Sequence, residues 1–169
     1  SGFDKIQAIF VTHEHTDHIC GLSTVLKNHR IPVLAAPATL RGIAGACGDV
    51  DRRLLCAMNV GAKAVNGDFE VTSFASSHDC PQSVGYVVNA GGIKLGILTD
   101  TGFVSQDMLR AVSECRALVL ESNHDLDMLR TGRYPAMLKA RILSERGHLS
   151  NVQCAETLCM LAGNTEHVF

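Results

Sequence analysis

Short apolar runs and stretches of helical spacing alternate along almost the whole chain, and that alternation restricts the fold more than any other feature. Residues 6–12 are apolar enough for a strand, and residues 17–29 then place Ile19, Leu22, Val25 and Leu26 at helical intervals. Residues 32–36 lie in IPVLAAP, apolar throughout and closed by a proline, which reads as a short buried strand. One or two helices are expected over 39–58, broken near 45–48. Residues 69–75 alternate as a strand, and 84–89 and 93–99 flank AGG, a hairpin signal. Ser105 is a suitable N-cap for a helix over 105–114. Residues 118–121 form another buried strand, 135–146 a helix closed by Gly147, and 151–161 a further helix. Residues 167–169 look like the opening of a strand. Met108, Met128, Met137 and Met160 fall on apolar helix faces and are expected in the core. Strands interleaved with helices mean a layered α/β architecture, and an apolar share of 46% is enough to fill it.

No apolar run approaches the roughly 18 residues of a membrane span, and the start has no basic-then-apolar leader. A cytoplasmic protein with no membrane partner is therefore expected. The seven cysteines never form CxxC and are odd in number, which fits neither a disulfide framework nor a zinc finger. The net charge of −2 argues neither for nor against an anionic partner, because bound metal would add charge that the count omits. Nothing in the sequence sets an oligomeric state.

The chemistry concentrates in FVTHEHTDHICGL, residues 10–22. Three of the eight histidines, His13, His15 and His18, fall within six residues, with Asp17 among them. If extension continues past the strand, His13 and His15 project to the same side, since strand side chains have a period of two. Asp17 and His18, in the first turn of the next helix, can converge on a neighbouring point. Nitrogen and oxygen donors of this kind suit zinc, manganese or iron. A solvated loop has little reason to gather them.

The HEHTDH segment resembles the H-x-H-x-D-H signature of the metallo-β-lactamase superfamily. The order of later residues agrees: a strand leads to His78 in SSHDC, and another to Asp100 in LTDTG. SHDCPQSVGYVV, GILTDTG, LESNHD and YPAMLKARILSERGHLSN are similar to the YycJ-like or WalJ-like branch, related to the ribonuclease Z and J groups. The resemblance covers essentially residues 1–169. It implies an αββα sandwich, two mixed sheets flanked by helices, and two divalent metal ions, zinc or manganese, with iron also suited. His13, His15 and His78 would bind the first metal, and Asp17 and His18 the second. Asp100 would bridge them. Two cations about 4 Å apart can hold a hydroxide and polarise a scissile bond.

Against the family pattern, the chain is expected to lack the strands that usually precede the signature and the segment after residue 169. The second metal would then have only Asp17, His18 and Asp100. Such a partial domain is expected to be weakly active or inactive alone.

By the same resemblance, His148 in RGHLSN would assist the leaving group, and Glu121 in LESNHD would orient His148 or a metal-bound histidine. Asp17, His148 and Glu121 are thus the expected catalytic side chains. Asp79 is a candidate outer partner, and Glu14 is expected at the surface or in a cap. Arg130, Arg133, Lys139, Arg141 and Arg146, opposed only by Glu145, offer a phosphate-gripping rim or a solvated helix face. The resulting function is a dinuclear-metal hydrolase, a phosphodiesterase or nuclease acting on DNA or RNA through a metal-bound hydroxide. The alternatives are a small-molecule ester, thioester or lactone hydrolase of the same fold, or a non-catalytic metal-binding fragment.

Overall fold

A computed structural model describes residues 5–169. Among the described residues nine strands form two sheets. The smaller is parallel, in the order β1 (Ile9–Val11), β2 (Val33–Ala35), β3 (Leu55–Ala57). The larger is mixed and follows chain order: β4 (Lys63–Asn66), β5 (Phe69–Ala75), β6 (Val84–Ala90), β7 (Ile93–Leu98), β8 (Ala117–Leu120), β9 (His167–Val168). Its first four strands pair antiparallel and its last three parallel.

Strand alternation assigns each side chain to a layer. Ile9, Val11, Val33 and Ala35 face α1 (Thr16–Ile19), α2 (Leu22–Asn28) and α3 (Pro37–Ala46), packing against Ile19, Leu22, Leu26 and Ile43. The intervening Phe10 and Leu34 face the other way, onto Val71, Val84, Tyr86 and Val88 of the larger sheet. Behind that sheet, Leu98, Leu118 and Leu120 pack on Met108 and Val112 of α4 (Gln106–Val112) and on Cys154 and Leu161 of α7 (Asn151–Leu161). Helices, sheet, sheet and helices thus stack around three apolar cores, the αββα order that the sequence implied.

Several elements depart from the local reading. The 17–29 helix is split at Gly21 into α1 and α2. The 39–58 helical stretch yields α3, a 3-10 turn over Arg52–Leu54, and β3. Parallel pairing of Leu55–Ala57 with β2 overrides the helical spacing there. Residues 135–146 are helical only over α6 (Ala136–Ile142), after which the chain turns tightly to reach His148. An additional α5 (Leu126–Thr131) is capped by the Asp125 carboxylate, which accepts from the Asp127 and Met128 amides. Of the four methionines expected in the core only Met108 is buried; Met128, Met137 and Met160 are exposed, because α5, α6 and α7 turn those faces outward.

Two hydrogen bonds join the sheets where β1 ends. The Tyr86 hydroxyl donates to the Val11 carbonyl at 2.8 Å, and the Val84 amide donates to the Thr12 carbonyl at 3.1 Å. Burial pushes the Tyr86 phenol upward, so it remains a neutral donor. Tyr86→Phe keeps the ring but leaves the carbonyl without this donor. We expect a loss of about 1 kcal/mol in urea unfolding; an unchanged midpoint would show that the bond contributes nothing.

Candidate metal centre

The site lies at the carboxyl ends of β1, β5, β7 and β8. β1 ends at Val11 and the chain stays extended to His15, whose φ of −62° and ψ of 147° place it just before α1. His13 is 1% exposed. Its Nδ1 lies 3.1 Å from Thr12 Oγ1, while Nε2 is buried without a hydrogen-bond partner. The His13 ring centroid lies 4.5 Å from His15, 4.1 Å from His18 and 4.9 Å from His78. His78 follows β5, and its Nδ1–H donates to the Gly147 carbonyl at 3.1 Å. A carbonyl can only accept, so that bond fixes the tautomer and leaves Nε2 as the lone-pair nitrogen, 3.2 Å from His15 Nδ1.

Asp100 stands after β7 with φ of +52°, the one non-glycine residue at positive φ among those described. A carboxylate held in this sparsely populated region indicates a constrained position. Its Oδ2 lies 3.2 Å from His18 Nε2, and Oδ1 lies 3.6 Å from His148 Nδ1. Donor atoms fall into three overlapping groups: His13, His15 and His78; His13, His18 and Asp100; and His78, Asp100 and His148. Asp17 belongs to none of these. Its side chain is 80% exposed, with Oδ2 3.6 Å from His18 Nε2.

Protonation suits ligation. Metal-binding imidazoles must be unprotonated. Burial first, and the neighbouring His18 second, lower the His13 pKa to about 4. Burial also lowers that of His78, against the opposing Gly147 bond. An orphaned buried nitrogen, neutral rings and a carboxylate among them fit a divalent cation of borderline character.

The surrounding residues hold these donors in place. Asp79 sets Oδ1 3.5 Å from His15 Nε2, and its other oxygen pairs with Arg141, which holds the carboxyl below its usual range. Glu121 makes three contacts: Oε1 is 2.5 Å from His148 Nδ1, and Oε2 accepts from the Thr101 and Leu149 amides at 2.9 and 3.2 Å. The Glu121 contact raises the His148 pKa, with burial opposing it. Arg146 donates to the carbonyls of His78 and Cys80 at 3.0 and 2.9 Å. Arg146 and Arg141 therefore brace the His78 loop, and Lys139 donates to the Arg130 carbonyl. The expected basic rim is largely committed to these structural bonds. Glu14 is a correction as well: one of its oxygens is buried, and its side chain packs where a Cβ on Gly42 of α3 would sit.

Sequence reasoning did not single out Thr12, which touches both His13 and His18, and it read Gly147 only as a helix end, not as the acceptor for His78. A Cβ at Gly147 would lie 2.2 Å from the Ile142 carbonyl oxygen. That contact requires glycine, but it is invisible without the fold.

The comparisons with known proteins agree with this fold. A family model described as a beta-lactamase superfamily domain matches residues 1–167. An exodeoxyribonuclease YycJ of Bacillus anthracis is 38% identical over 167 residues, covering 98% of this chain and 63% of that protein. An exodeoxyribonuclease WalJ of Streptococcus pneumoniae is 34% identical over 163 residues, covering 95% and 61%. The chain thus spans less than two thirds of the length of these relatives. The crystal structure of the short form of human tRNase Z superposes with a TM-score of 0.65 at 19% identity, over 98% of this chain and 74% of that one.

Two titrations test the electrostatics in the metal-free chain. By ring NMR, His148 is expected to titrate above the ordinary 6.5, and Glu121→Gln is expected to lower it; equal values would remove the proposed coupling. Folded His13 resists protonation down to about pH 4, whereas unfolded His13 takes a proton near 6.5. The unfolded state therefore binds more protons in that window, and stability is lost as pH falls through it. His13→Gln should lose less unfolding free energy between pH 7 and 4.5 than the parent chain does. Equal losses would contradict the burial argument.

Proposed function

Because the chain belongs to the metallo-β-lactamase superfamily, we propose that its histidine cluster serves a metal-dependent hydrolase that cuts phosphodiester bonds in nucleic acid. The observation that carries this is the convergence of His13, His15, His18, His78, Asp100 and His148 into overlapping donor groups, with the buried His13 Nε2 left without a protein partner. The nuclease names of the relatives support a nucleic-acid substrate, with DNA first.

In this reading the donors would take two divalent cations, zinc or manganese, with iron equally suited. His13, His15 and His78 would hold the first, and His18 and Asp100 the second, with the exposed Asp17 at the rim beside His18. When bound, such cations acidify water and neutralise charge on phosphoryl oxygens.

The remaining groups of the chain handle position and protons. Glu121 holds His148 by Nδ1 and favours its protonated form, so the ring can keep a second N–H to give to the departing oxygen. Gly147 orients His78 through its outer nitrogen, and such partners set ligand direction and basicity; Asp79 lies 3.5 Å from His15 Nε2. Among the described residues no helix is long and apolar enough to cross a membrane. All seven cysteines are free thiols, which suits a reducing compartment such as the cytoplasm.

The test is hydrolysis of an end-labelled single DNA strand with manganese or zinc. Cleavage should require metal. Since even outer partners of metal ligands are worth about 10–100-fold, His13→Ala should reduce it by at least about a hundredfold. Cleavage that continues without metal, or that His13→Ala leaves unchanged, would overturn the proposal.

A further inference from the structure

Two histidines of the cluster share one outer partner. The Gly147 carbonyl serves His78 alone, and the Glu121 carboxylate is the partner of His148. Thr12 serves two rings: its Oγ1 lies 3.1 Å from His13 Nδ1 and, in a longer contact, 3.5 Å from His18 Nδ1. Among the described residues no other side chain or backbone group hydrogen-bonds either nitrogen. The opposite nitrogens face the cluster. His13 Nε2 is buried without a hydrogen-bond partner, and His18 Nε2 lies 3.2 Å from Asp100 Oδ2. His13 joins His15 and His78 in one donor group and joins His18 and Asp100 in another, and the His13 and His18 ring centroids are 4.1 Å apart.

The chemistry of imidazole gives this arrangement a purpose. A neutral ring that offers its Nε2 lone pair to a cation carries its proton on Nδ1, and the bond made by that N–H sets the tautomer and the ring direction. For His13 and His18 the group in reach is the same hydroxyl. Its oxygen has two lone pairs and one proton, so it can accept from two imidazole N–H groups, or accept from one and donate to the other. It is uncharged and adds no charge beside the donors. β-Branching restricts χ1 of threonine, which keeps the oxygen aimed in one direction. The backbone beneath it is fixed too. Thr12 follows β1 directly, and its carbonyl accepts from the Val84 amide at 3.1 Å.

We propose that Thr12 is a positioning residue for both ligand sets: its single hydroxyl engages Nδ1 of His13 and of His18 and turns both Nε2 nitrogens toward the cations. The role rests on the metal-dependent reading of the cluster and adds a link between its halves. A ring in one set cannot turn without disturbing the oxygen that holds a ring in the other.

Two readouts test this, and neither needs turnover. Thr12→Val keeps the β-branched shape and the backbone bond to Val84 but has no hydroxyl, whereas Thr12→Ser keeps the hydroxyl. The first readout is zinc affinity, measured by competition with a chromogenic chelator. Thr12→Val should weaken zinc binding by about 10–100-fold, the usual cost of losing an outer partner of a metal ligand, and Thr12→Ser should bind close to the parent chain. The second is the ring ¹⁵N spectrum of the metal-free chain. The Nδ1 signals of both His13 and His18 should move in Thr12→Val and return toward their parental positions in Thr12→Ser. If the His13 signal moves alone, or if Thr12→Ser behaves as Thr12→Val does, the shared hydroxyl is not the cause and the role is wrong. Zinc binding by the parent chain that Thr12→Val leaves unchanged removes this role alone. A parent chain that takes up no zinc removes the metal reading on which the role rests.

Discussion

The site depends on the junction where the end of β1 is stitched to β6. Val84 donates to the Thr12 carbonyl and Tyr86 to the Val11 carbonyl, and these bonds hold one sheet's carboxyl end against the other sheet. His13 follows that junction directly on one sheet, and His78 leaves β5 on the other. Were the sheets free to slide past each other by one residue, about 3.3 Å, the two imidazoles would no longer meet. The core between the sheets, with Phe10 and Tyr86 in edge contact at 5.5 Å, backs this register with apolar packing.

From that junction outward, several donors are constrained twice, once by the element that carries them and once by an outer partner. His78 is directed by the Gly147 carbonyl and His148 by Glu121, while Asp79 stands 3.5 Å from His15 Nε2. The segment from Ser144 to Leu149 supplies much of this. It reaches back through Arg146 to the His78 loop, the Ser77 hydroxyl donates to the Glu145 carbonyl at 2.7 Å, and its glycine lets the chain pass within contact of α6. The burial that orders these rings also keeps His13 and His78 unprotonated. Packing and ligand chemistry therefore act in the same direction.

How much of this could be read in advance depended on sequence distance. β5, β6, β7, α4 and α7 were legible because their patterns are local: period-two alternation, a turn at AGG, and Ser105 as a cap whose side chain accepts from the Met108 amide. β3 and β4 were not, since Leu55–Ala57 and Lys63–Asn66 become strands only through partners elsewhere in the chain. The exposed Met128, Met137 and Met160 show the same limit: helical spacing identifies a face but not what covers it. The crowding of His13, His15 and His18 was visible in six residues. His78, Asp100, Glu121 and His148 were placed only through the family resemblance. Thr12 carried no signal, and Gly147 and Arg146 were legible only as a helix end and part of a basic rim, because their bonds to the histidine loops exist only in the fold.

The central claim is that the folded chain gathers imidazole and carboxylate donors, and not its thiols, around a divalent cation. Zinc-edge X-ray absorption on the chain loaded with one equivalent of zinc measures this directly. The account predicts a first shell of nitrogen and oxygen at about 2.0–2.1 Å with imidazole outer scattering. Sulfur scattering at about 2.3 Å, or no saturable zinc binding, would contradict it.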